Sequence, residues 1–228
     1  MAKKIIVSNI EIEVQRKKIK NMYLSVLPPN GKVRISAPVN VKDEAIKLFA
    51  TAKVGWIKKQ IKKIENQPRQ TQLEYVSGES HYVWGRRYRM EIRHNHRNSV
   101  EIKGNMLILT VRESSTSQQR EKVMTEWYRK QLKETLPKLV AKWEETIGVE
   151  AESVRVKNML TRWGTCNTKD KRIWFNLQLA KKPIECLEYV VVHELVHLLE
   201  KSHNSVFVGY MDTYLPDWRV TRKRLNSI

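Results

Sequence analysis

No stretch of this chain restricts its fold more than Val190-Val191-Val192-His193-Glu194-Leu195-Val196-His197-Leu198-Leu199-Glu200. An apolar run of this length and spacing reads as a buried helix, yet His193, Glu194 and His197 sit inside it. At about 100° per residue, His193 and His197 lie about 40° and one turn apart, so both imidazoles reach a single metal ion. Glu194 falls on the same side, beside the water such an ion would bind. Buried imidazoles and a carboxylate without partners cost several kcal/mol, which a bound metal removes. Two neutral nitrogen ligands, with a carboxylate placed to take a proton from a water acidified toward pKa ~7, make the set of a zinc hydrolase.

A catalytic zinc takes three protein ligands and keeps one position open. Were the helix to continue past Glu200, residue 203 would lie about 240° round from His197 and roughly 9 Å further along, too far to share the ion. A turn near Lys201-Ser202 brings His203 back. No glutamate follows Glu200, and the only later acids are Asp212 and Asp217. His203 is therefore the expected third ligand, with Asp212 the runner-up. Asp212 or Asp217 is alternatively expected to orient a ligand histidine from behind.

The rest of the chain bounds the setting of this site. Its 228 residues suffice for one large domain or two small ones. No run of about 18 apolar residues occurs, and Met1-Ala2-Lys3-Lys4-Ile5-Ile6-Val7 turns polar too early for a signal peptide, so no membrane association and a cytoplasmic location are expected. Two cysteines, Cys166 and Cys186, imply no disulfide framework. Net charge is +19, and residues 1–72 carry +11 of it, from 16 Lys and Arg against 5 Asp and Glu. A field of that sign attracts polyanions, nucleic acid first among them, although a solvated basic surface accounts for the same pattern.

In chain order, residues 4–14 read as a strand, and Asn21–Leu27 and Lys32–Ser36 as two more, joined by the turn Pro28-Pro29-Asn30-Gly31 in a small antiparallel sheet. Ala45, Ile46, Phe49, Ala50, Val54, Ile57, Ile61 and Ile64 make one amphipathic helix from Asp43, with seven lysines elsewhere between Lys42 and Lys63. Residues 67–71 read as a connector. Strands follow at Tyr82–Trp84, Tyr88–Arg93, Ser99–Lys103 and Met106–Arg112, and His94 and His96 read as solvated loop residues. Ser114-Ser115-Thr116-Ser117 opens a long helix with an apolar stripe of Val123, Trp127, Leu132, Leu136, Leu139, Val140 and Trp143, stopped by Gly148 and interrupted by Pro137. Strands are expected at 154–157, 162–166 and 172–177, with Pro183 where the histidine helix begins.

Arg162-Trp163-Gly164-Thr165-Cys166, Ile173–Leu177, Tyr189–Leu198, His203-Asn204 and Phe207 together resemble the YgjP-like metallopeptidase family, relatives of SprT-like zincins. Ala37-Pro38, Trp56-Ile57 and Gly85 before Tyr88 extend the likeness over nearly the whole chain. The resemblance implies a metal-dependent hydrolase with one zinc ion on His193, His197 and His203 and with Glu194 as catalytic base. His203 has the spacing of the third metzincin ligand, but Glu200 stands where that subgroup has glycine. The expected fold is α+β: a basic N-terminal region of antiparallel sheet plus helix over residues 1–114, then a minimal zincin-like domain with an HExxH active-site helix over 115–228. Arg162, Trp163 and Gly164 are expected at the edge of the substrate cleft, where an edge strand pairs with an extended peptide. The leading expectation is a peptidase whose protein or peptide substrates include nucleic-acid-associated proteins. A nucleotide pyrophosphohydrolase and a nucleic-acid-binding accessory protein with a structural metal are the alternatives.

Overall fold

A computed structural model describes residues 3–27, 30–65 and 73–227, with two compact units, Met1–Gln72 and Leu73–Ile228. Pro28-Pro29 and the connector expected at 67–71 lie outside the described residues.

The first unit is a four-stranded sheet with two helices. Strands β1 (Lys3–Val7) and β2 (Ile10–Lys17) form a hairpin where one strand was expected. Its turn places Ser8 and Asn9 at φ 48° and 62°, the left-handed pair that matches strand twist in a tight hairpin. Strands β3 (Tyr23–Leu27) and β4 (Lys32–Pro38) follow, in the order β1-β2-β4-β3. The inner pair β2·β4 is parallel, so the sheet is mixed rather than antiparallel throughout. The expected single helix is two, α1 (Asp43–Ala52) and α2 (Val54–Glu65). Lys53 leaves helical geometry at φ −110°, flanked by Thr51 and Gly55, which hold a helix weakly. Ile12, Ile35, Ile46, Ala50 and Ile57 are among the residues of its core.

The second unit repeats the first sheet's topology. Strands β5 (Ser80–Val83), β6 (Arg86–His94), β7 (Ser99–Lys103) and β8 (Met106–Val111) take the order β5-β6-β8-β7, again with the inner pair parallel. Helix α3 (Ser117–Ile147) opens on the Thr116–Gln119 capping box, runs through Pro137 and ends where Gly148 turns left-handed at φ 75°. Its buried stripe is Met124, Tyr128, Leu132, Leu136, Val140, Trp143 and Ile147, whereas Val123 and Trp127 are half-buried. Val83, Tyr88, Met90, Leu107 and Leu109 share one core with that stripe and with the histidine helix. This shared apolar core joins the second sheet to the helices that follow it, with α3 packed on the sheet's inward face.

A three-stranded sheet, β9 (Ser153–Lys157), β10 (Gly164–Asn167) and β11 (Arg172–Asn176), has the order β10-β11-β9. A 3-10 turn at Leu177–Lys181 leads into α4 (Ile184–Val196), followed by α5 (Ser205–Tyr214) and α6 (Trp218–Asn226). The β5–β6 turn anchors the head of α4. Trp84 N–H donates to the Ala180 carbonyl at 2.9 Å and Gly85 N–H to that of Lys181 at 3.2 Å. Gly85, at φ 78°, presses so closely on Pro183 that a Cβ there would stand 2.6 Å from Pro183 Cγ. One turn further along the helix, the Glu188 carboxylate accepts from Trp143 Nε1 and Lys142 Nζ, both at 2.9 Å, tying α4 to α3. The fold is α+β, and none of its described helices is long and apolar enough to cross a membrane.

Candidate active site

Helix α4 carries His193 and Glu194 in its last turn, and His197 stands at its C-cap. The helix ends earlier than the expected break. Leu198 and Leu199 N–H groups bond back to Leu195 and Val196 carbonyls in tightened turns at 2.9 Å, and Asn204 caps α5 by accepting from Phe207 N–H at 3.0 Å. His203 lies in the short link so formed. One ring nitrogen from each of His193, His197 and His203 falls within 4.8 Å of the others. Phe207, almost fully buried, lies against all three rings at 4.7–5.0 Å between centroids.

The protonation of these rings suits a cation. His197 Nδ1 lies 3.1 Å from the Glu200 carbonyl, which only accepts, so Nδ1 carries the proton and Nε2 keeps its lone pair. His203 Nε2 and His193 Nε2 face each other at 3.0 Å. Nitrogen–zinc bonds of about 2.0–2.1 Å in a tetrahedron set ligand nitrogens roughly 3.3 Å apart, close to that separation. Burial, then His197, His203 and Arg222, push the His193 ring down to about 3, and burial lowers His197 as well. Both are thus neutral at pH 7, the form that ligates. His193 Nδ1 is buried without a hydrogen-bond partner among the described residues. Three converging imidazoles fit a divalent metal and no other common cofactor.

Glu194 is 5% exposed, and burial pushes its carboxyl up to about 8 against the opposing pull of Arg162. Its space is made by β10: a Cβ on Gly164 would sit 2.5 Å from Glu194 Oε1 and 2.7 Å from Cγ. Gly164 thus has a role that the sequence reading did not assign it. Cys166 lies two residues on, and burial, with Glu194 adding to it, pushes its thiol up to about 11. It stays protonated and is no nucleophile at neutral pH.

Arg162, Trp163 and Gly164 line one cleft of about 480 Å³ with His193, Glu194 and His203. Buried Asn176 pins the loop that carries them. Its Nδ2 donates to the Met159 and Arg162 carbonyls at 2.9 and 2.7 Å, and its backbone N–H to that of Trp163 at 2.8 Å. The far wall comes from a helix the sequence reading left unassigned, α6, through Trp218, Arg222, Leu225 and Asn226. Trp163 Nε1 donates to Asn226 Oδ1 at 3.2 Å, and the Trp218 ring stacks parallel to that of Tyr189. Spacing of Trp218 and Leu225 by seven residues, one stripe of a helix, was the available signal. Asp212 stays apart from the triad: it accepts from Trp218 Nε1 at 2.7 Å and pairs with Arg219. Asp217 supplies the N-cap backbone of α6. Neither aspartate bonds a ring of the triad among the described residues.

A convergent histidine triad, a buried glutamate beside it and an open cleft define a metal-dependent hydrolase. The YgjP-like metallopeptidase domain matches residues 20–228, and the chain belongs to that family. A search of curated proteins returned no match. Among solved structures, the metallopeptidase zymogen abylysin of Pyrococcus abyssi is similar at 19% identity over 40% of this chain and 91% of its own, with a TM-score of 0.38. The zymogen of Methanocaldococcus jannaschii jannalysin is similar at 20% identity over 39% and 91%, with a TM-score of 0.36.

Proposed function

We propose that this protein is a zinc peptidase in which His193, His197 and His203 hold one ion and Glu194 is the general base. The convergence of the three rings within 4.8 Å beside a carboxylate in the same cleft carries the reading. When bound, the ion supplies Lewis acidity and a water of lowered pKa. Glu194, held against Gly164, accepts that water's proton and returns it to the leaving amine. Arg162 favours the ionised carboxylate that the first transfer needs. Strand β10 pairs only with β11 among the described residues, so its outer edge is available to an extended peptide. The opposite edge, β9, is partly closed by Arg129, which donates to the Val156 carbonyl at 3.0 Å. Membership of a metallopeptidase family favours a peptide bond over a phosphoanhydride as the target.

The basic first unit extends the proposal to protein substrates carried on nucleic acid, supported by exposed Lys42, Lys47, Lys53, Lys58, Lys59 and Lys62 on and beside α1 and α2. The free cysteines Cys166 and Cys186 support a reducing, cytoplasmic setting. Glu194→Gln is expected to keep stoichiometric zinc, measured by metal analysis, while peptide hydrolysis falls by at least ~100-fold. Wild-type turnover in that variant overturns the assignment of the base.

A further inference from the structure

The cleft is charged in a way that water activation does not require. Apart from Glu194 and the histidines, the only ionic side chains lining it among the described residues are Arg162 and Arg222. They come from separate elements, the loop before β10 and helix α6. Neither guanidinium forms an ion pair or hydrogen bond with another described residue, whereas that of the neighbouring Arg219 is neutralised by Asp212. The Arg222 guanidinium lies 5.9 Å from the centre of the Trp218 ring, which lines the same cleft. Anything bound across the site therefore meets two guanidiniums and no acid except the base itself.

Resting on the peptidase reading above, we propose that Arg162 and Arg222 bind a substrate carboxylate next to the scissile bond, making the enzyme selective for acidic peptides. A guanidinium presents parallel N–H donors matched to a carboxylate, and an aromatic, partly shielded wall strengthens that pairing relative to open water. A Lys or Arg at the same substrate position meets like charge and is rejected. The carboxylate has two possible sources, an Asp or Glu side chain or the free C-terminus of the peptide. The chemistry of recognition is shared, and only the peptide distinguishes them.

The test uses full-length, zinc-loaded Glu194→Gln protein and labelled alanine-rich decapeptides carrying a central Glu, Gln or Lys, each with a free or an amidated C-terminus. Binding is read by fluorescence anisotropy, so it does not depend on turnover. The Glu peptide is expected to bind about 10- to 100-fold more tightly than the Gln peptide, as for a charge-assisted hydrogen bond, with the Lys peptide weaker still. Preference that survives amidation assigns the side chain; preference that appears only with a free C-terminus assigns the terminal carboxylate. Arg162→Gln and Arg222→Gln are each expected to reduce the discrimination, and Arg222→Glu to turn it toward Lys. Equal affinities for all the peptides, no binding of any, or discrimination unchanged in both glutamine variants overturns the proposal. Cleavage of the same peptides by the wild type is scored separately. Selective binding without hydrolysis refutes the peptidase reading alone, and hydrolysis without selectivity refutes only the role of the arginines.

Discussion

At the scale of single residues, Gly164 and Glu194 are one device. The glutamate is a buried acid that a metal-dependent hydrolase needs in contact with water, and the missing Cβ at position 164 is what admits it. Gly164→Ala is accordingly expected to displace the carboxylate and lower kcat by roughly 100-fold, as a misplacement of about 1 Å does, while zinc stoichiometry stays at one. Kinetics with metal analysis on the same sample check this, and an active alanine variant refutes the contact. A different acid sets the pH response of the first unit. Lys32, then Gln15 and Arg34, hold the Glu13 carboxyl down at about 2 against an ordinary value of 4.5. A depressed folded pKa gives stability that is present above about 4.5 and is lost as pH falls from there toward about 2. Urea unfolding between about pH 6 and 2, followed in wild type and in Glu13→Gln, is expected to show a shallower acid slope in the variant.

At the scale of elements, two tight turns decide where the site sits. Trp84 and Gly85 take φ of 49° and 78°, and their N–H groups clamp the 3-10 turn that leads into α4. A side chain at position 85 meets both a left-handed backbone and Pro183. Gly85→Ala is expected to destabilise the second unit by at least about 1–2 kcal/mol, read as a lower denaturant midpoint at unchanged m value. The second turn, from His197 to Asn204, folds His203 back onto α4. Helical spacing alone required that reversal, and local hydrogen bonds make it: Leu198 and Leu199 N–H groups close tightened turns after Val196, and Asn204 caps α5.

At the scale of the whole molecule, two sheets share one strand order while serving different cores. Every buried residue of one core precedes residue 73, and every one of the other follows residue 72. Residues 73–228 are therefore expected to fold alone, with cooperative thermal unfolding that zinc shifts upward, and to lose the steep salt-dependent DNA affinity expected of the full chain. Calorimetry with and without zinc, and DNA titrations at several salt concentrations, measure both. A fragment that unfolds without a transition refutes the first expectation, and one that keeps the DNA affinity refutes the second.

Much of this protein was legible in its residues, for local reasons. Alternation and turn chemistry located most strands, Thr116 and Gly148 bounded α3, and the spacing of His193, Glu194 and His197 put three polar groups on one face of a helix. What failed was also local in origin. Ser8-Asn9 lacks the glycine that usually marks a hairpin, so two strands read as one, and a basic amphipathic stripe runs unbroken past Lys53 although the backbone does not. Arg222 and Trp218 in the cleft, the pinning of its loop by Asn176, and the removal of Asp212 to Arg219 were beyond such reading. They depend on contacts between residues 7 to 63 positions apart, or on which face a helix turns inward, and one-dimensional periodicity carries no information about either. The sequence by itself determined that His193, Glu194 and His197 share one face of a helix, because such spacing is a property of the helix; tertiary structure alone decided the walls of the cleft, because those arise from packing.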